Sequence, residues 1–466
     1  MQSRIVPLIL AVALFMENMD STVIATSLPA IATSIGTSPV ALKLALTTYL
    51  LALAVFIPVS GWAADRFGPN RLFGWAIVVF MVGSVACAAS SSLAEFVGAR
   101  FIQGMGGAMM TPVARLVMLR STPRSEMVRA MAWLTMPALV GPLIGPPLGG
   151  FLTTYASWHW IFLINVPIGC AGIALAARYL PVIPPGAPVP LDRIGFLLSA
   201  IACSGLIFGF SVAGLDVMPA WVPVTLVCAG FAAAALYVVH ARFAARPLLD
   251  LTLLRITTFR SSVIGGSLFR IGVGAVPFLL PLMLQVGFGY TPFESGVTTF
   301  AAAAGAIGMK VLVGPILRAW GFRTVLACNA ALAAVFIAIN GLFTIDTPQI
   351  VIAAVLLVGG FFRSLQFTSI NAIAFADVDN ERLSRATSLS AVVQQFSLSL
   401  GVATAAGTLE IVVALRGGAL DAPAFSTAFF VVAAITAVSA LVFAGLPRDA
   451  GQEVSGRVVE RAPRQP

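Results

Sequence analysis

The chain has 466 residues, of which 59% are hydrophobic and only 10% are charged, and its mean hydropathy is +0.99. A soluble domain carries about 25% charged residues, so this composition excludes a water-soluble protein. Apolar runs repeat along the whole chain, and many are near the ~20 residues that a helix needs to cross a bilayer. Composition therefore predicts a bundle of membrane-spanning helices rather than a barrel.

The first apolar run, Ile5 to Phe15, resembles the core of a cleaved secretory signal. Glu17, Asp20 and many further apolar runs follow it, which favours a retained first helix. The five cysteines lie within apolar runs and show no CxxC spacing. Neither a disulfide framework nor a metal site is therefore predicted.

Hydropathy, flanking charges and turn residues together predict fourteen spans. Their centres lie near Leu14, Val55, Val79, Ala108, Val140, Gly169, Cys203, Phe231, Ala275, Gly305, Ala333, Gly359, Leu398 and Ala434. An even number of spans places both termini on one side of the membrane.

The 27 lysines and arginines indicate which side that is. Twenty of them fall in the termini or in connections on the same side, while only Lys43 and Arg416 fall in the opposite connections. The remaining five lie within or at the edge of spans, and these are Arg100, Arg115, Arg270, Lys310 and Arg363. The positive-inside rule predicts cytoplasmic termini. Topology thus accounts for the net charge of +9, which does not indicate nucleic-acid binding.

An internal repeat divides the chain. The stretch GTSP at Gly36 reappears as GYTP at Gly289, an offset of 253 residues (289 − 36). The same offset relates two further glycine pairs, Gly61 with Gly314 and Gly68 with Gly321. Three matches in register predict duplicated halves.

The repeat leaves two spans without a partner, so a 6 + 2 + 6 arrangement is predicted. Residues 1–180 form an N-terminal six-helix bundle, and residues 181–260 form a proline-rich linker with two extra helices. Residues 261–447 form a C-terminal six-helix bundle, and residues 448–466 form a disordered cytoplasmic tail.

Four stretches carry polar or small residues that a membrane helix tolerates only for a reason. The connection after the second span reads GWAADRFGPNRLF from Gly61, and the fourth span contains RFIQGMGGAMM from Arg100. The fifth span contains GPLIGPPLGG from Gly141, whose glycines and prolines make a thin, bendable helix. The first span contains MDSTVIATSLP from Met19, with a carboxylate that is costly if ionised and unpaired.

These stretches resemble the motifs of the fourteen-span drug:proton antiporters of the EmrB/QacA type, within the major facilitator superfamily, and the nearest branch looks like the HsrA-type transporters. The likeness covers nearly the whole chain. It implies an all-α major facilitator fold of two six-helix halves plus two central helices. It also implies proton-coupled export of small amphipathic or lipophilic compounds by alternating access.

The resemblance, together with the positions of nearby charged and polar residues, predicts the following roles. The proton-coupling residues are Asp20, Glu17 and Arg100. The cytoplasmic loop latch comprises Gly61, Asp65, Arg66, Gly68, Arg71 and Arg115. The exporter motif comprises Gly141, Pro142, Gly145, Pro146, Gly149 and Gly150. The substrate cavity is expected to contain Arg270, Arg363, Asn165, Gln366 and Gln394.

The charges leave alternatives open. Asp20 and Glu17 either exchange the coupled proton or only stabilise arginines within the membrane, and Arg100 is the expected counter-charge of Asp20. At the repeat offset Arg270 corresponds to Glu17, so Arg270 and Arg363 are expected to pair with Glu17 and Asp20, to receive an anionic group of the substrate, or to hold the halves together. Lys310 either snorkels or packs.

Other functions fit the sequence less well. The two histidines and the lack of HExxH, GxSxG or a phosphate loop argue against an enzyme or an ATP-driven pump. Export of anionic or lipid-like substrates, a flippase, and a proton symporter remain alternatives. We expect no cofactor beyond the proton gradient, and membrane lipids, protons and a small molecule as partners. We also expect a monomer, with accessory export proteins as an open alternative, in a bacterial inner membrane.

Overall fold

A computed structural model describes residues 2–121, 127–181, 183–185, 190–213, 219, 221–245, 247–379, 382–416 and 420–452. All regular elements within these ranges are helical. The predicted disordered tail falls largely at residues 453–466, which lie outside the described residues.

The N-terminal half contains eight helical segments. They are α1 Gln2–Val23, α2 Leu28–Ser34, α3 Lys43–Phe67, α4 Pro69–Ala89, α5 Leu93–Ser121, α6 Met127–Tyr155, α7 Trp160–Leu163 and α8 Asn165–Tyr179. A 3-10 turn, Ile24–Ser27, joins α1 to α2, so the two make one span. The short α7 leads into α8, and these two also make one span.

The extra hairpin and the C-terminal half follow. The helices are α9 Arg193–Val212, α10 Trp221–Phe243, α11 Thr257–Leu282, α12 Pro292–Asn340, α13 Gln349–Ala374, α14 Leu383–Arg416 and α15 Ala422–Ala444. A π turn, Met283–Gly287, continues α11. α11 begins four residues before the predicted start of the C-terminal bundle at 261. The limits of independently folding units stay a prediction.

The described helices account for the predicted fourteen spans. Eleven segments are long and apolar enough to cross a membrane. One of them, α12, has 49 residues and leaves helical geometry at Gly321, and a straight helix of that length would be far too long for one crossing. It therefore holds two spans, while α5 and α6, with 29 residues each, supply the last two. Every predicted centre lies in a helix, and the predicted fold is confirmed.

The backbone repeats between the halves as the sequence predicts. Gly36 and Gly289 both have a positive φ, of 68° and 75°. Gly68 and Gly321 also have positive φ values, of 87° and 75°. Glycine adopts this conformation without steric cost, so both halves make their tight turns with glycine at corresponding positions.

The two ends of the bundle differ. We call the end where α1 begins and α15 finishes the tail end, and the opposite end the far end. At the far end one apolar cluster joins both halves and includes Leu28, Ile31, Leu279 and Phe425. Towards the tail end each half has its own cluster. The halves are therefore closed together at the far end and separate towards the tail end.

The extra hairpin packs beside the seam between the halves. Ile207 of α9 lies in a small apolar cluster with Leu51 and Val55 of α3, and Phe396 of α14 packs against it. At the tail end Asp192 caps α9 and contacts His240 of α10 at 2.8 Å. Burial alone would raise the pKa of Asp192, but hydrogen bonds from the Gly195 amide and His240 outweigh it and lower that pKa. The two helices of the hairpin are thus tied to each other at the tail end.

Candidate functional site

Asp20, in the last turn of α1, lies at the centre of a buried polar cluster in the N-terminal half. Nη1 of Arg100 donates to its Oδ2 at 2.7 Å. Nε2 of Gln103 and Nδ2 of Asn165 donate to its Oδ1 at 2.7 and 3.1 Å. Asp20, Gln103 and Asn165 are 0% exposed, and Arg100 is 1% exposed. The carboxyl faces only donors, an arrangement that suits a carboxylate.

Arg100, on α5, has further partners in the same cluster. Its Nη1 also donates to Oε1 of Gln103 at 2.5 Å. The guanidinium carbon lies 4.3 Å from the ring centroid of Tyr49, a distance typical of a cation–π contact. Gln103 also donates to Oγ of Ser84 at 2.8 Å. Five helices, α1, α3, α4, α5 and α8, thus supply one network around a single ion pair.

Small residues allow these helices to approach. A methyl group added at Gly104 would lie 2.7 Å from the carbonyl oxygen of Tyr49. A methyl group at Gly83 of α4 would collide with the backbone of Gln103. Because any larger side chain would separate α5 from its neighbours, the glycines bring the polar groups within hydrogen-bond distance.

Glu17 is the second acid of α1. It lies three residues before Asp20, about 4.5 Å nearer the tail end. It is half-buried, and Oγ1 of Thr111 on α5 donates to its Oε2 at 2.5 Å. Arg115 is four residues beyond Thr111, on the same face of α5, and its charge attracts Glu17. Glu17 therefore lies between the buried cluster and the tail end of the bundle.

The glycine- and proline-rich part of α6 contacts both α1 and the C-terminal half. Gly141, Gly145 and Gly149 face α1, where an added methyl group at Gly145 would collide with Thr22. Gly150 lies against Pro292 at the start of α12, and Pro146 lies against Gly296. Pro142 is half-buried on the same helix. Movement of α6 would therefore change its contacts with α1 and with the opposite half together.

The family comparison decides the identity of this arrangement. The model described as "Major Facilitator Superfamily" matches residues 10–402 and, separately, residues 262–466. The chain belongs to the Major Facilitator Superfamily. The superfamily predicted from the motifs is thus confirmed.

Individual superfamily relatives support the same assignment. The chain is 40% identical over 454 residues to "Putative multidrug resistance protein MdtD" of Klebsiella pneumoniae subsp. pneumoniae, covering 95% of this chain and 94% of the relative. A protein of the same name from Salmonella heidelberg is 37% identical over 454 residues, covering 96% and 95% of the two chains.

Solved structures of the superfamily share the fold. The crystal structure of a D-xylose-proton symporter matches with a TM-score of 0.66 and 16% identity, over 96% of this chain and 98% of the symporter. A POT family transporter in complex with a thioalcohol-conjugated peptide matches with a TM-score of 0.69 and 15% identity, over 93% and 94%. At this identity the likeness supports the fold alone.

The superfamily loop after the second span has a different partner from the one predicted. Oδ1 of Asp65 accepts from Nη2 of Arg120 at 2.7 Å, not from Arg115. Arg120 lies in the last turn of α5, level with the loop, whereas Arg115 lies more than a turn earlier, where its charge acts on Glu17. Gly68 makes the turn, while Gly61, Arg66 and Arg71 are exposed. Asp65 therefore pairs with Arg120, and the latch role of this loop stays a prediction.

Arg270 does not pair with Glu17 or Asp20. Its Nη2 donates to Oδ1 of Asn371 on α13 at 3.0 Å, and its guanidinium carbon lies 5.5 Å from the ring centroid of Phe367. Arg270 is 1% exposed, so it is enclosed within the C-terminal half. The alternative that Arg270 links the halves by an ion pair is wrong in this conformation. Both Glu17 and Asp20 contact residues of the N-terminal half instead.

Three other predicted cavity residues have different surroundings. Asn165 belongs to the Asp20 cluster, because the start of α8 packs against α1 and α4. Gln366 is 0% exposed and joins α13 to α12 through Asn329 and the carbonyl of Leu326, so it is enclosed too. Gln394 is half-buried on α14. Asn165 and Gln366 therefore do not line an open cavity in this conformation.

An ion pair that the sequence motifs do not indicate joins the two halves. Nζ of Lys43, at the start of α3, donates to both carboxylate oxygens of Glu410 on α14 at 2.8 and 2.9 Å. Lys43 is 0% exposed and the Glu410 side chain 15%. Lys43 stood out as one of two cations on its side, and Glu410 as the acid near a helix end of the second half. Neither pattern along the chain could pair residues 367 positions apart.

Two further placements complete the site. Nζ of Lys310 donates to Oγ1 of Thr368 at 2.7 Å, and Arg363 lines a cavity inside the C-terminal half. Among the described residues no three histidines, cysteines or carboxylates are grouped as a metal site would require.

Proposed function

We propose that this chain is a proton-coupled exporter of small amphipathic or lipophilic compounds, of the multidrug-efflux type, that works by alternating access. The observation that carries the proposal is the buried ion pair of Asp20 and Arg100, with Glu17 one turn nearer the open end. Proton-coupled transport requires at least a titratable group next to the contact between the two halves, and this contact must close at one end. The names of the MdtD relatives agree with export of drugs.

The basic connections at the tail end support an orientation in a bacterial inner membrane with the tail end facing the cytoplasm. On that orientation the described conformation is open to the cytoplasm. All hydrogen bonds that join the two halves in the described residues lie at the far end. They include Gln285 to the carbonyl of Thr26 at 2.9 Å and the Phe293 amide to Thr154 at 3.2 Å. Export then requires these contacts to break and the tail end to close.

The cluster supports a route for the proton. Glu17 exchanges protons at the tail end, while Asp20 holds Arg100 when it is ionised. A proton on Asp20 would remove the charge that holds Arg100 and free the guanidinium to follow α5. Because α6 packs directly on α1 through Gly141, Gly145 and Gly149, a shift of α1 reaches the closed far end. Proton binding and opening would thereby be linked.

Transport in proteoliposomes tests the proposal. Purified protein is reconstituted, an outwardly directed substrate flux is driven by a pH gradient, and ethidium is the probe. Asp20→Asn is expected to abolish gradient-driven flux while downhill flux persists. Glu17→Gln is expected to slow the gradient-driven flux. Asp346→Asn, at an exposed far-end acid, is the matched control and should retain wild-type flux.

Three results would contradict this assignment. Wild-type flux that ignores the pH gradient would remove proton coupling. Full gradient-driven flux by Asp20→Asn, with loss in Glu17→Gln, would transfer the coupling role to Glu17. Flux in the opposite direction, measured in inverted vesicles, would favour the symporter alternative.

One observation favours a second class of substrate. Arg270, Lys310 and Arg363 all lie within spans of the C-terminal half, and none has an acidic partner among the described residues. Charged groups at this depth are costly without a counter-charge. Export of anionic compounds is therefore the alternative with structural support, and lipophilic anions belong in the same flux assay.

A further inference from the structure

The C-terminal half contains a cavity that the motifs did not indicate. Its volume is about 40 Å³, and it lies between α11, α12 and α13. The residues that matter here are Val273, Ala302, Ile337, Asn340, Leu356 and Arg363. All but two are apolar, so the cavity is a mainly apolar pocket with one charged and one amide group.

The internal repeat shows which site of the N-terminal half this cavity corresponds to. Gly104 meets the carbonyl of Tyr49, and Gly360 meets the carbonyl of Ala302 in the same way. Gly83 packs against Gln103, and Phe336 packs against Gly359. Both contacts place the fourth span of each half in one register, with an offset of 256 residues (360 − 104) instead of the 253 of the earlier spans. Positions can therefore be paired across the halves. The pairs are Asp20 and Val273, Tyr49 and Ala302, Ser84 and Ile337, and Arg100 and Leu356.

The cavity therefore occupies the place of the Asp20 cluster. In the N-terminal half a carboxylate, a phenol ring and a guanidinium fill this space. In the C-terminal half Ala302 replaces the ring and Val273 replaces the acid, and the shorter side chains leave the space open. The same backbone packing thus makes a filled ionic cluster in one half and a pocket in the other.

Two polar groups border the pocket without partners. Arg363 makes no hydrogen bond or ion pair with any residue the structure describes. Asn340 is 4% exposed, and its Oδ1 has no hydrogen-bond partner among those residues. A buried amide without a partner costs roughly 1–3 kcal/mol, and an unpaired charge costs more. An anion would satisfy the half-buried guanidinium, whereas the Asn340 oxygen is an acceptor and needs a donor.

We infer that this pocket binds one anionic group, held by the guanidinium of Arg363. The inference rests on the proposed function and names a chemical class for part of the substrate. A carboxylate or a halide fits a cavity of about 40 Å³, whereas a drug-sized molecule needs roughly 300–1,000 Å³. The apolar walls favour an anion attached to, or accompanied by, an apolar body. A free ammonium group would be repelled.

Thermal unfolding of the purified full chain in lipid nanodiscs tests the inference. The background salt is lactobionate, a disaccharide acid much larger than the pocket, and acetate or chloride is titrated at constant ionic strength. Each small anion that binds the folded state raises the unfolding temperature. Methylammonium is the matched cation and is expected to have no such effect.

Variants assign the response to the pocket. Arg363→Met should weaken the apparent affinity for acetate by more than about tenfold, because a charge-assisted hydrogen bond is lost. Ala302→Val keeps Arg363 and fills the pocket, so it should also abolish the response. Lys310→Met removes a cation of the same half that binds Thr368 instead, and should respond as the wild type does.

The outcomes separate the sources of the anion. If acetate binds and chloride does not compete with it, the occupant of the pocket is a substrate carboxylate. If chloride competes with acetate, the occupant is a free halide. If neither anion raises the unfolding temperature, or if Arg363→Met responds like the wild type, water fills the pocket and the inference is wrong. Failure of pH-driven ethidium export would overturn the proposed function while leaving this binding measurement intact.

Discussion

The two halves of this transporter share a backbone and differ in the chemistry at its centre. In the N-terminal half Asp20 and Arg100 form a buried ion pair with every oxygen of the carboxylate satisfied. In the C-terminal half the corresponding positions are Val273 and Leu356, and Arg363 borders an open pocket. Duplication preserved the helix contacts, while side-chain changes left an ion pair in one half and a pocket in the other.

The largest expected effect follows from removing an arginine in each half. Arg100→Met should lower the free energy of unfolding by about 3–5 kcal/mol, because it leaves Asp20 buried without its counter-charge. Arg363→Met should leave the free energy of unfolding unchanged or raise it, because an unpartnered cation is replaced by an apolar side chain. Unfolding by SDS in mixed micelles measures both. Equal losses in the two variants would contradict the difference between the halves.

The ion pair that joins the halves should have the next largest effect. Glu410→Gln leaves the buried Lys43 without its anion and should weaken far-end closure by about 2 kcal/mol. Spin labels at positions 38 and 347, in a cysteine-free background, should report a longer distance by electron resonance. Asp421→Asn is the control, because its pair with Arg416 is exposed and lies within one half.

A charge exchange at the same pair provides the counter-test. Lys43→Glu combined with Glu410→Lys should restore the wild-type distance, because the attraction is recreated. A double variant that remains as open as Glu410→Gln would mean that packing, and not charge, closes the far end.

A third variant carries the chemistry of one half into the other. Val273→Asp places a carboxylate at the position that corresponds to Asp20, beside Arg363. The internal acid should occupy the guanidinium and weaken acetate binding by more than about tenfold. Val273→Asn is the matched neutral control and should bind acetate more tightly than Val273→Asp. Equal affinity in the two variants would place Arg363 out of reach of position 273.

The smallest effect is expected at the tail-end loop. Asp65 and Arg120 form an ion pair whose side chains are 36% and 34% exposed. Such a pair contributes less than about 1 kcal/mol to stability, so Asp65→Asn should change the unfolding free energy by no more than that. At the repeat offset Asp65 corresponds to Arg318, and Arg318→Gln is the control. A loss above 2 kcal/mol in Asp65→Asn would make the latch a structural element of this conformation.

The sequence alone determined the spans, the duplicated halves and the superfamily. Hydropathy and charge are properties of local segments, and a membrane restricts each apolar segment to a helix, so these features can be counted along the chain. The motif around Asp20 and Arg100 was also visible, because glycines and charges within the membrane are unusual enough to be noticed one at a time.

The tertiary structure decided which residues meet. Arg120 contacts Asp65 although Arg115 was predicted, Asn165 joins the Asp20 cluster, and Lys43 pairs with Glu410. Each partner depends on the rotation and depth of two helices, and these are set by packing between segments far apart in the chain. The C-terminal pocket is the clearest case, because it exists only where several small side chains from three helices face the same point.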